Sequence, residues 1–258
     1  MLLQQKFMIQ ARSFIDFEQQ ETNKFAAYCW AKYLLEKKEN WVILHIAATG
    51  LNNSDRIVEI CVVSRHGSVM LDTLIKPNKP NLYPLYGMQY NCQIMTGITD
   101  DMLVNAPEFV DVYPRLRSLI KGKNILCYST KFTLQKIQRM CELYELPIIN
   151  GIWWDFGEMH AKRENSCYVG KSKYDIPKLF KNDEKRRAKI GAINIYKIVQ
   201  EMAQPLVCPV LFKTQLFPKK QLFCDWRKWI DFSIKRPSFY WGTEQNKDDL
   251  DDWDKIPF

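Results

Sequence analysis

Apolar positions lay out the elements before any other property is considered. Leu3, Phe7, Phe14 and Phe17, then Phe25, Tyr28, Cys29, Ala31, Leu34 and Leu35, recur at roughly helical spacing and predict helix over 2–37. Trp41–Ala47 is almost continuously apolar, as a strand covered on both faces should be. Two further β-rich runs, Arg56–Ser64 and Ser68–Lys76, flank a His66-Gly67 turn, and Pro77, Pro80 and Pro84 mark a loop. After Ala106-Pro107, the pattern predicts an amphipathic helix over Glu108–Ile120, with Pro114 a point of kinking. A strand over Asn124–Ser129 and a helix over Leu134–Tyr144 follow. Residues 151–182 read as irregular and partly helical. Glu184–Met202 reads as a helix with Ala188, Ala192, Ile195, Ile198 and Val199 on one side. Strands first, then alternating helix and strand, predict an α/β sheet covered by helices.

The pattern divides the 258 residues into a helical extension (1–39), an α/β domain (40–203), a segment rich in aromatics and Lys/Arg (204–243) and an acidic tail (244–258). At 47% hydrophobic residues the chain has ample material for a core, which excludes wholesale disorder. No apolar run is long enough to span a bilayer, and the start lacks a signal pattern. The expectation is a cytoplasmic protein without a membrane partner. The eight cysteines stand singly, mostly in apolar surroundings, and read as reduced, buried small hydrophobes. Net charge is +8, but its distribution matters more: the tail has six acids against two lysines, so it carries −4 and the body +12. A basic body with a segregated acidic end suggests a polyanionic partner, or simply charge for solubility.

Several runs then converge on one family. Trp41–Gly50, Thr96-Gly97-Ile98-Thr99, Ala106-Pro107, Asn124–Leu134 and Arg186–Ala192 fall in the order and spacing of the DEDDh 3′–5′ exonucleases. The chain resembles that group, which includes the DNA polymerase III proofreading subunit and RNase T, over about residues 40–203. The resemblance implies an RNase H-like mixed sheet flanked by helices. It also implies a site of four carboxylates, two divalent metals and a general-base histidine that together cleave phosphodiesters.

At those five positions this sequence departs from the family. The Asp-x-Glu pair of the first strand is His45 and Ala47. The aspartate of the middle motif is Thr133, in Tyr128-Ser129-Thr130-Lys131-Phe132-Thr133. The histidine and aspartate of the last motif are Arg186 and Gly191. Hard cations are held chiefly by carboxylates and waters, and a guanidinium stays protonated, so this set supplies neither ligands nor base. The markers Thr49, Gly50, Phe132, Ala188 and Ala192 nonetheless keep their places. Among other acids, Glu59, Asp100, Asp101, Asp155 and Glu158 are candidates for a relocated site, with Glu59 better read as structural.

The sequence reading is therefore a catalytically inactive pseudo-exonuclease, not an enzyme, with no metal and no cofactor. It would bind nucleic acid, single-stranded DNA or RNA, and recruit partner proteins. Loss of the acids leaves Lys131, Arg186 and Arg187 near the old cleft, where cationic groups meet phosphate directly. A second surface is Leu211–Trp241, where aromatics such as Trp226 and Trp229 interleave with Lys219, Lys220, Arg227 and Lys228. Those aromatics suit base stacking, or packing onto the body. The chain ends Asp251-Asp252-Trp253-Asp254-Lys255-Ile256-Pro257-Phe258, which resembles the tip of bacterial single-stranded-DNA-binding proteins. That resemblance implies that Asp251, Asp252 and Asp254 steer, and Ile256, Pro257 and Phe258 dock, onto replication or repair proteins. The alternatives are a divergent metal-dependent 3′–5′ exonuclease with relocated ligands, and a subunit that binds only protein.

Overall fold

The computed structural model describes residues 23–36, 40–52, 55–77, 92–164, 179–180 and 184–204. The elements run from a helix over residues 23–36 (α1) into three strands, Trp41–Ala48 (β1), Ile57–Ser64 (β2) and Val69–Leu74 (β3). Two short helices follow, Cys92–Thr96 (α2) and Asp100–Leu103 (α3), then Phe109–Ile120 (α4) and the strand Asn124–Cys127 (β4). Thr130–Leu143 (α5), Ile152–Asp155 (β5), Phe156–Glu164 (α6) and Ala188–Met202 (α7) complete the described chain.

The five strands make one sheet in the order β3-β2-β1-β4-β5. β1 pairs antiparallel with β2 and parallel with β4; β2–β3 is antiparallel and β4–β5 parallel. This mixed sheet, helices on both faces, is the α/β, RNase H-like arrangement that the resemblance implied. β1 lies at its centre, which is why its sequence is apolar on both faces.

Alternation along β1 sorts the core into two layers. Val42, Leu44 and Ile46 face α4 and α5, among Phe109, Leu116, Leu134, Ile137 and Met140. Trp41 and Ile43 face the other way, among Ala27, Trp30 and Leu34 of α1, Phe156 and Met159 of α6, and Ala192, Ile195 and Val199 of α7. The helix preceding β1 thus shares a core with the sheet. Trp154 of β5 extends this layer at the sheet edge, with Tyr33 stacked at 6.2 Å and Trp30 tilted at 6.2 Å.

The structure moves some sequence boundaries for physical reasons. β4 ends at Cys127 and α5 begins at Thr130, four residues before the predicted start. The polar first turn hides that start, and its cap comes from across the sheet: the Thr130 N–H donates to Asp155 Oδ2 at 2.9 Å. Within 151–182, read as irregular and partly helical, lie the helix α6 and, missed by that reading, β5, a strand of only four residues directly before it. α7 starts at Ala188 rather than Glu184. α4 runs continuously through Pro114, opened by a reciprocal capping box between Glu108 and Asp111. The helix predicted over 2–37 is described only from residue 23, and residues 205–258 lie outside the described part.

Candidate nucleic-acid interface

The parallel strands β1 and β4 end beside a loop that the sequence builds from local hydrogen bonds. Thr49 Oγ1 donates to Asp55 Oδ1 at 3.0 Å and accepts the Arg56 N–H, while Asp55 Oδ2 accepts the Asn52 N–H at 2.6 Å. A Cβ on Gly50 would lie 2.6 Å from Asp55 Oδ2, so glycine lets that carboxylate keep both bonds undisturbed. Beneath the loop, Lys136 of α5 donates its ammonium to the carbonyls of Asn52 and Asp55. Burial pulls its pKa down, against the pull of Asp55. The loop presents Leu51 to solvent. Sequence reasoning missed Lys136, although one signal was available: it shares the core-facing spacing of Thr133, Ile137 and Met140.

The Thr-Gly-Ile-Thr run closes the same end of the sheet. Gly97 adopts φ 72°, which a side chain would resist, and the Thr96 hydroxyl accepts the Ile98 N–H at 3.1 Å. Ile98 is thereby set into a small cluster with Ala47, Val58 and Leu103. The Arg186 N–H donates to the Met95 carbonyl at 2.8 Å, which lays the approach to α7 alongside this turn.

Each of the five positions that depart from the family pattern then has a definite place. His45 points from β1 towards α7, partly buried, beside Gly191 and 5.9 Å from the Phe180 ring. Desolvation lowers its pKa to about 4, so the imidazole is neutral at pH 7. Ala47 is buried in the cluster just described. Thr133 is buried (4% exposed) beside the Cys127 thiol, in the α4/α5 layer. Arg186 is exposed. The structure brings His45 and Gly191 together, while Thr133 belongs to the opposite face of the sheet.

The cationic candidates differ in their freedom. Lys131 and Arg186 are exposed. Arg187 is engaged: its Nε donates to Glu59 Oε1 at 2.8 Å and its Nη2 lies 2.6 Å from the same oxygen. Glu59, 2% exposed, also accepts the Ala188 N–H at 2.6 Å, so one buried carboxylate both neutralises Arg187 and caps α7. This agrees with its structural reading. Lys189 pairs with Asp72 at 3.2 Å. Lys219, Lys220, Arg227 and Lys228, and the tail residues Asp251, Asp252, Asp254, Ile256, Pro257 and Phe258, lie outside the described residues.

A pair of divalent metals does not fit the residues present. An imidazole, a methyl group, a hydroxyl beside a thiol, a guanidinium and a glycine contribute no carboxylate. Asp155 and Glu158 are engaged elsewhere. Asp155 accepts the Thr130 and Glu158 backbone N–H groups, the latter at 3.2 Å, and burial raises its pKa to about 6. Glu158 pairs with Lys162 at 3.0 Å. Asp100 and Asp101 form the first turn of α3. Among the described residues, no group of three or more His, Cys, Asp or Glu side chains is placed to hold a metal ion, and no helix is long and apolar enough to cross a membrane.

Residues 47–162 match the family model described as Exonuclease (RNase T type). An uncharacterized exonuclease, CP81, of Escherichia phage 186 is 31% identical over 116 residues, covering 45% of this chain and 55% of that protein. The PolC-type DNA polymerase III of Bacillus subtilis is 31% identical over 112 residues, 42% of this chain but 7% of that polymerase. The chain thus spans about half of the phage relative and a small part of the polymerase. Among solved structures, a 3′-exonuclease that recognises the histone mRNA stem-loop aligns with a TM-score of 0.48 at 14% identity, over 66% of this chain and 65% of that one. Exonuclease I of E. coli in complex with a dA16 oligonucleotide aligns with a TM-score of 0.44 at 15% identity, over 64% of this chain and 42% of that one.

The match over 47–162 and the phage relative support an exonuclease-like domain. They also correct one expectation from the sequence. The reading of a pseudoenzyme, drawn from the five missing groups, is overturned by the exonuclease match over 47–162 and by the phage relative, which point to an exonuclease rather than to a non-enzyme.

Proposed function

We propose that this chain is an exonuclease-type protein that engages the end of a single nucleic-acid strand beside the carboxyl ends of β1 and β4. The observation that carries this reading is the exonuclease match over residues 47–162, which includes the Thr49–Arg56 loop and all of α5. Lys131 and Arg186 supply exposed positive charge for phosphates, and the body's net positive charge draws a polyanion from a distance. Arg187 acts here through Glu59, as a support for α7 rather than as a direct phosphate contact.

Strand cleavage by this chain draws on groups other than His45, Ala47, Thr133, Arg186 and Gly191, because those five give neither metal ligands nor a base. A 5′-labelled oligonucleotide incubated with and without Mg²⁺ or Mn²⁺ tests the reaction, and stepwise shortening from the 3′ end is expected. A gel shift with the same oligonucleotide tests the interface. The Lys131→Glu, Arg186→Glu double variant should bind at least 10-fold more weakly with a shallower salt dependence. Equal affinity of the variant and the native chain would remove this interface.

The aromatic and basic segment 204–243, with Lys219, Lys220, Arg227 and Lys228, extends the strand-binding surface in this proposal. The tip Asp251–Phe258 recruits a replication or repair protein, Phe258 filling an apolar pocket while the aspartates meet a basic rim. Deleting Ile256–Phe258 should abolish partner recovery and leave oligonucleotide affinity within about 2-fold.

A further inference from the structure

The partners of His45 suggest how the chain tolerates an imidazole at the first carboxylate position. Gly191 lies on α7 opposite β1 and is buried. A Cβ built on it would overlap Cδ2 and Nε2 of the His45 imidazole and lie 3.0 Å from Cγ. The ring also meets Phe180, 5.9 Å between centroids. It is carried by the central strand, so it has little room to swing away. Glycine in mid-helix ordinarily destabilises by removing side-chain packing and adding backbone freedom. Here the missing Cβ is the space that the ring occupies.

We propose that His45 and Gly191 form a matched contact that fills the gap between β1 and α7, so that divalent cations are excluded from it. The two substitutions are then one structural change: an imidazole added on the strand and a side chain removed from the helix. Neither is neutral without the other. This inference stands on the packing alone and is independent of whether the chain binds a nucleic-acid strand.

A double-mutant cycle on the full chain tests the coupling. In the native background, Gly191→Ala forces a methyl group into the ring and should lower Tm by about 5 °C. In the His45→Ala background the ring is gone, only the helix preference of alanine remains, and Gly191→Ala should raise Tm. That reversal of sign is the expected result; the same sign in both backgrounds overturns the proposal. Where Gly191→Ala alone does not fold, a folded double variant supports the coupling and an unfolded one overturns it.

Manganese supplies the second measurement. The chain has three histidines, so the imidazole resonances of His45, His66 and His160 are separable by NMR. His66, in the exposed β2–β3 turn, monitors non-specific broadening. The His45 signal should broaden no more than that of His66 as Mn²⁺ is added, whereas selective broadening of His45 at substoichiometric Mn²⁺ overturns the exclusion.

Discussion

At the scale of single residues, two titrating groups pull stability in opposite directions. His45 is held neutral in the folded chain, its pKa lowered from 6.5 to about 4 by desolvation. Between those values the unfolded chain takes up a proton that the folded one refuses, so this contribution is present above pH 6.5 and lost as pH falls towards 4. The loss is on the order of 3 kcal/mol over the whole span. Replacing the ring by a group of similar size that cannot titrate, His45→Leu, should therefore flatten the acid limb of stability, as read by urea melts at pH 7 and pH 5. Asp155 has the reverse sign: its pKa is raised from 3.8 to about 6, mainly by burial. The stability it contributes is present below about pH 4 and lost as pH rises through 6. The deficit of Asp155→Asn relative to the native chain should accordingly shrink between pH 4 and pH 7 in the same melts.

At the scale of elements, α7 depends on one carboxylate from a neighbouring strand. Glu59 neutralises Arg187 and caps the helix at Ala188, both by direct hydrogen bonds. Glu59→Ala would leave a half-buried guanidinium and an unsatisfied N–H, a loss of about 3 kcal/mol measurable by denaturant unfolding. Glu59→Gln keeps an acceptor and should lose less. Lys136 performs a comparable task for the loop after β1, holding two carbonyls from below. Lys136→Met would free those carbonyls, and faster cleavage between Thr49 and Arg56 in limited proteolysis is the expected sign. Both links join residues far apart in sequence, which explains what could be read from sequence and what could not. The apolar run Trp41–Ala47 announced a central strand, and Glu59 stood out as structural within Ile57-Val58-Glu59-Ile60. β5 was hidden because four residues show no periodicity; its pairing with β4 makes it a strand. The early start of α5 was hidden because its cap, Asp155, arrives from another element. At the site, the five substitutions were legible one at a time, but the contact between His45 and Gly191 spans 146 positions and appears only when α7 lies on β1.

At the scale of the whole molecule, the sheet has two covered faces and α1 completes one of them. Ala27, Trp30, Ala31 and Leu34 share a cluster with Trp41, Ile43, Phe156 and Ile195. A chain begun at residue 40 would expose that face, and it should elute as aggregate in size-exclusion chromatography where the full chain remains monodisperse. The edge of this cluster carries a further consequence. Tyr33 and Trp154 lie nearly parallel, 16° between planes, with Trp30 close by. Neighbouring chromophores fixed in an asymmetric arrangement are optically active, so the near-ultraviolet circular dichroism of this chain carries a signature of α1 seated on the sheet. Heating followed at those wavelengths would show the helix detaching as its own event, or leaving together with everything else.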